Sequence, residues 1–153
     1  MNKNFRNLHL TQMESRLSIW RAAKLPSRPA NGWVRSIRES LGMSASALGR
    51  RLGMTHAAIN NFERSEAHDT ITLASLQKLA DALGCDLHYA LVPRKPLHEQ
   101  LDEQAHKLAR EQLTSLLHSM QLEAQGLQDN ERERQLESLA RDLLEGSRRE
   151  LWQ

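Results

Sequence analysis

The chain has 153 residues, 39% of them hydrophobic and only 4% aromatic, which suits two small domains, or one with an appendage, built on aliphatic cores. No apolar run approaches the roughly 18 residues that a membrane span needs, Met1 to Leu10 has no signal-peptide core, and the single Cys85 cannot close an internal disulfide, so the composition points to the reducing cytoplasm and away from the membrane. The net charge of +2 is divided along the chain: residues 1–95 carry 14 Lys and Arg against 7 Asp and Glu, residues 96–153 carry 7 against 12, and so the front suits a polyanion and the back a different partner.

In chain order, Leu10, Met13, Leu17 and Trp20 fall on one face of an amphipathic helix over residues 7–24. The run Leu25-Pro-Ser-Arg-Pro29 ends it, because proline removes a backbone donor and clashes with a continuing helix. A second helix is expected from near Asn31, with Val34, Ile37 and Leu41 at helical spacing and Gly42 as its stop. Ser44 caps a third helix that runs to Leu52. Thr55 caps a fourth that runs to about Arg64, followed by a polar loop from Ser65 to Ile71. Thr72 caps a fifth, with Leu73, Leu76, Leu79, Ala80 and Leu83 inside and Gly84 at its end. Cys85 to Val92, bounded by Gly84 and Pro93, reads as a short β-strand. After Pro96 a charged helix carries Leu97, Leu101, Leu108, Leu116 and Met120 on one stripe to about residue 125. A turn near Gln128-Asp-Asn130 and a last short helix with Leu136, Leu139, Ala140, Leu143 and Leu144 follow.

Residues 45–64 meet the steric demands of a helix-turn-helix, two short helices at a steep angle about a tight turn. Gly53 tolerates a positive φ at the turn, Leu48 and Leu52 bury one turn apart, and Gly49 is small where the helices touch. Ile59 and Phe62 return to the same core, Met54 plugs the turn, and no proline interrupts residues 30–92. The helix from Thr55 is then the recognition helix of a DNA-binding module. With Ala58, Ile59 and Phe62 turned inward, its free face holds His56, Ala57, Asn60, Asn61 and Arg64. Asparagine pairs with adenine, arginine with guanine, and alanine meets a thymine methyl group. Ser44 and Thr55, at helix N-termini, are candidate phosphate holders, although simple caps have the same sequence.

Leu41-Gly-Met43, Leu48, Arg51-Leu-Gly-Met54, Ile59, Phe62-Glu63 and Leu76 to Gly84 resemble the phage-repressor-like (XRE-type) helix-turn-helix domain, which implies a bundle of about five helices over residues 31–84. Arg28-Pro-Ala-Asn-Gly-Trp33, Ile37-Arg38, Ser65-Glu-Ala67, Ile71-Thr-Leu73 and Ala82 to Pro93 extend the likeness. Over about residues 8–125 the chain is similar to the mobile mystery protein A family. That resemblance implies a regulator encoded beside a Fic-domain partner on mobile elements, with no catalytic residues. The likeness to phage repressors places base contacts on His56, Ala57 and Asn61; because the loop from Ser65 to Asp69 is acidic where repressors often carry Lys or Arg, Arg28, Arg35, Arg50 and Arg51 are the expected phosphate partners instead. The likeness to phage repressors also implies a structural pair between Glu63 and Arg38.

The expected fold is mainly α: an N-terminal helix and linker (1–30), a helix-turn-helix domain with the short strand (31–93), and an acidic helical region (94–153). No catalytic constellation, phosphate loop or metal-ligand spacing stands out, so the reading is a non-enzymatic DNA-binding regulator without cofactor or metal; the family resemblance implies that it is a repressor of its own operon. A lone strand leaves unpaired backbone groups. The same strand of a second subunit, with Leu87, Tyr89 and Leu91, is its simplest partner, which gives a homodimer on double-stranded DNA; the alternative is that residues 85–92 are an extended linker packed on their own core. The rival reading is a protein-interaction module that neutralises a partner enzyme and binds little DNA.

Overall fold

The computed structural model describes residues 2–120 and 129–153. Among them run seven α-helices: α1 (Lys3–Ala22), α2 (Trp33–Ser40), α3 (Ala45–Leu52), α4 (His56–Ala67), α5 (Leu73–Ala82), α6 (Leu97–Met120) and α7 (Asp129–Glu145), with a 3₁₀ turn at Glu150–Trp152. They form two compact units, one of Leu25–Ala90 and one of Met1–Lys24 with Leu91–Gln153.

The unit Leu25–Ala90 holds α2 to α5 around Val34, Leu48, Ile59, Leu79 and Leu83, with Ile37, Leu52, Met54, Phe62 and Leu76 packed at the edges. These are the positions at which helical spacing puts apolar side chains on one face, and their burial is what holds four short helices together. Local chemistry sets the ends. The hydroxyls of Ser44, Thr55 and Thr72 each accept from the backbone N–H three residues on, at 3.1, 3.2 and 3.1 Å. The unit has four helices where the family resemblance implies about five, and α4 runs on to Ala67 through what reads as loop from Ser65, because buried Glu66 anchors its last turn.

The short strand expected at residues 85–92 is not formed, and no strand occurs among the described residues. A β-ladder needs a second backbone alongside, and none of the described residues supplies one. Cys85 N–H is instead tied back to Ala80 C=O at 2.9 Å. Tyr89, Leu91 and Val92 are exposed.

In the other unit, α6 and α7 pack through Ala105, Ala109, Ala140 and the 3₁₀ residue Leu151, flanked by Leu101, Leu108, Leu136, Leu139, Leu143 and Leu144. Small alanines at the contact let the two helices approach, so the α6 stripe runs through Leu101, Ala105, Ala109 and Leu113, while Leu116 is exposed. The turn expected at 128–130 falls partly outside the described residues; Asp129 and Asn130 are the first residues of α7. The half-buried side of α1 carries Leu10, Met13, Leu17 and Trp20, as its periodicity dictates. Polar ties fix α1: Glu14 accepts from Leu97 N–H at 2.8 Å, at the start of α6, and Arg6 donates to Gly146 C=O at 2.9 Å, just past the end of α7.

Candidate nucleic-acid interface

The α3–turn–α4 segment is built on two glycines. Gly53 closes α3 in the left-handed conformation (φ 65°, ψ 32°), which bends the chain sharply and frees Met54 N–H to bond Gly49 C=O at 2.8 Å. A β-carbon on Gly49 would stand 2.5 Å from Met54 C=O, so only glycine lets the turn pass this close to α3. Leu48 and Ile59 are fully buried beneath, which fixes the rotation of α4 about its own axis.

That rotation turns His56, Ala57, Asn60, Asn61 and Arg64 outward, all five exposed on one helix. The adjoining side of α4 is locked from below. Arg38 on α2 donates to both carboxylate oxygens of Glu63, Nε at 2.6 Å and Nη2 at 3.0 Å, and its Nη1 donates to Met43 C=O at 2.8 Å. Both side chains are buried, and hydrogen bonding to Glu63 raises the Arg38 pKa above its ordinary value, so the guanidinium keeps its charge.

Glu66 is a second buried carboxylate on α4, one that pattern reading did not single out. It accepts from Trp33 N–H at 2.7 Å and Val34 N–H at 3.0 Å, and so caps α2 from another helix. Gly32, the residue before α2, has no side chain to do so, and a β-carbon there would meet Glu66 Oε2 at 2.6 Å. The pairing joins residues 33 positions apart, so no local spacing rule exposes it.

The arginines expected at phosphates fall into different settings. Arg28 is folded against the end of α4, donating to Glu66 C=O at 2.6 Å and pairing with Asp69 at 2.7 Å. Arg35 pairs on the surface with Glu39 at 2.8 Å, which lowers the Glu39 pKa, with the Arg35 hydrogen bond as the first cause. Arg51 donates to Ala82 C=O at 2.9 Å, the end of α5, and Arg50 is exposed. Ser44 and Thr55 are N-caps on exposed helix starts. Leu87 is half-buried, and Tyr89 and Leu91 are exposed.

Compared with known families, residues 34–89 match the helix-turn-helix model. Residues 34–89 are a helix-turn-helix domain. This helix-turn-helix is of the XRE type, the DNA-binding part of transcriptional regulators. No curated protein and no solved structure matches the chain. Among the described residues no helix is long and apolar enough to cross a membrane, and no three His, Cys, Asp or Glu side chains gather as a metal site.

Proposed function

We propose that the chain is a sequence-specific repressor that places α4 in the major groove and binds a two-fold-symmetric operator as a dimer. The observation that carries this is the exposed face of α4, polar but for Ala57, held in fixed rotation by buried Leu48 and Ile59 and the Arg38–Glu63 pair. In this reading His56, Ala57 and Asn61 face base edges, Asn60 and Arg64 extend the same face, and the exposed starts of α3 and α4 at Ser44 and Thr55 lie against phosphates. Arg35 and Arg50 contribute charge there; Arg28 and Arg51 do so only at the expense of the backbone carbonyls they now serve. Two copies spaced for successive turns of the groove, about 34 Å apart, require a symmetric interface. The exposed segment with Tyr89 and Leu91 supplies it by pairing with its own copy. The target is the DNA of its own operon and the protein partner a Fic-domain protein, on the strength of the resemblance to the mobile mystery protein A family.

The test is a binding titration on duplex DNA from immediately upstream of the coding sequence. Asn61→Ala is expected to weaken specific binding by about 1–3 kcal/mol and relax preference at one base step. Arg50→Ala is expected to weaken operator and random duplex alike and lower the salt slope by about one. Identical behaviour of the two variants on both duplexes would overturn the recognition-helix assignment.

A further inference from the structure

A half-open cleft of about 440 Å³ lies between α2 and the second half of α4. Arg35, Asn60, Arg64 and His68 line it together with Asn31, and the Arg38–Glu63 pair forms its floor. We infer that this cleft holds a phosphodiester of the DNA backbone, so that Asn60 and Arg64 anchor a strand at the edge of the groove instead of reading bases. This rests on the DNA-binding reading above and divides the exposed face of α4 into two jobs.

Rotation about α4 makes the division. Glu63 points at Arg38 on α2. At 100° per residue, Asn60 is turned from that direction by about 60°, Arg64 by about 100°, Ala57 by about 120° and Asn61 by about 160°. Asn60 therefore leans to the α2 side, where the cleft is, Arg64 stands on the flank of the helix and lines the cleft with its long side chain, and Asn61 points away from it.

Charge agrees with an anion there. The Arg38 and Glu63 charges cancel within the floor. Arg64 makes no ion pair among the described residues, so its charge is uncompensated at the cleft. Arg35 is held by Glu39 in a half-exposed surface pair, the kind of contact that a phosphate displaces at small cost. Asn31 and Asn60 bring uncharged amide donors. The His68 ring lies at the rim, its Nδ1 committed to Arg64 C=O at 2.8 Å. An arginine over a rigid floor, flanked by amides, binds one phosphate with definite geometry and carries no information about the base.

The experiment compares wild type with Arg64→Ala, Arg64→Lys, Asn60→Ala and Asn61→Ala on a random-sequence duplex across salt, and on the upstream duplex carrying single neutral methylphosphonates. Arg64→Ala is expected to reduce the salt slope by about one on both duplexes, while Arg64→Lys and Asn61→Ala keep it. One methylphosphonate per half-site is expected to weaken wild type about tenfold and to leave Arg64→Ala indifferent, with Asn60→Ala partly so. Circular dichroism confirms that each variant is folded; should Arg64→Ala unfold, Asn60→Ala on the methylphosphonate series decides. Wild type that binds neither duplex defeats the DNA-binding reading and the clamp with it. Wild type that binds while Arg64→Ala keeps its slope and changes its base preference defeats the clamp alone. Inorganic phosphate that saturates the Arg35 and Arg64 side-chain NMR signals of free protein below about 1 mM at constant ionic strength would make the cleft a small-anion site, and the backbone assignment would fail.

Discussion

Two carboxylates three residues apart on α4 show how differently buried charge is used in this domain. Glu63 faces a guanidinium, and Glu66 faces two backbone N–H groups at the start of α2. Removing one member of a buried ion pair strands the other, at a cost of about 3–5 kcal/mol, whereas replacing both with apolar side chains removes the desolvation penalty as well. Glu63→Ala is therefore expected to destabilise strongly, and Arg38→Met combined with Glu63→Leu to lose less than either single change, as read from urea denaturation midpoints. Glu66→Gln keeps an acceptor for one N–H but turns its amide hydrogens toward the other. A loss of about 1–3 kcal/mol is expected, with no change in the salt dependence of DNA binding, because the carboxylate is buried away from the exposed face. A stability loss under about 0.5 kcal/mol would show that α2 does not depend on this cap.

At the scale of elements, both units close helix ends with near neighbours and with other helices alike: Ser44 and Glu66 in one, Asn2 and Glu14 in the other. The unit of α1, α6 and α7 depends on two titratable contacts of opposite sign. Glu14 on α1 has a pKa below the ordinary carboxylate value, first because Leu97 N–H donates to it and then because Arg21 does. That contribution is present above the unfolded value near 4.5 and fades as pH falls through the folded one. His106 on α6 has a raised pKa, first through Asp102 C=O and then through Glu137 on α7. Both ring nitrogens face oxygen acceptors, at 2.8 and 3.1 Å, which the doubly protonated ring satisfies and the neutral one does not. Its contribution is complete below the unfolded value near 6.5 and is lost as pH rises through the folded value. Thermal stability of this unit is thus expected to peak in mildly acidic solution. In a Trp33→Phe background, fluorescence of Trp20 and Trp152 reports this unit alone. There His106→Gln should remove the alkaline decline and Glu14→Gln should soften the acidic one. A wild-type melting temperature that is flat from about pH 5 to 8 would exclude the His106 contribution.

At the scale of the whole molecule, two cores without shared residues make two cooperative units. Residues 25–90 are expected to fold alone, with helical circular dichroism and a sigmoidal urea transition, and to bind random duplex. An unfolded fragment would show that its core of five fully packed side chains is insufficient by itself. The proposed dimer belongs at this scale too. Tyr89→Pro removes a backbone donor and adds a clash in the segment offered for pairing. It is expected to sediment as a monomer and to lose about 100-fold in operator affinity, the gain that linking two half-site contacts supplies. A wild type that is monomeric at micromolar concentration in sedimentation would remove the symmetric interface.

Periodicity and caps made the helices legible. Apolar side chains every three or four residues, Ser44, Thr55 and Thr72 at helix starts and glycine at the turn are all local, and the recognition face follows from Ile59 and Phe62 pointing inward. The Arg38–Glu63 pair was legible only through resemblance. What the tertiary structure alone decided are the partners of groups distant in the chain: Glu66 on α2, Arg28 and Arg51 on the ends of α4 and α5, and Glu14 on α6. A short run of strand-favouring residues between Gly84 and Pro93 made residues 85–92 read as a strand, but a strand exists only with a neighbour to bond. Hydrophobic patterning misplaced the α6 stripe for a related reason. Alanine carries little hydrophobic signal by itself, yet Ala105 and Ala109 of α6 lie buried against α7, where only Ala140 was expected, because helix separation is set by the smallest side chains at the contact.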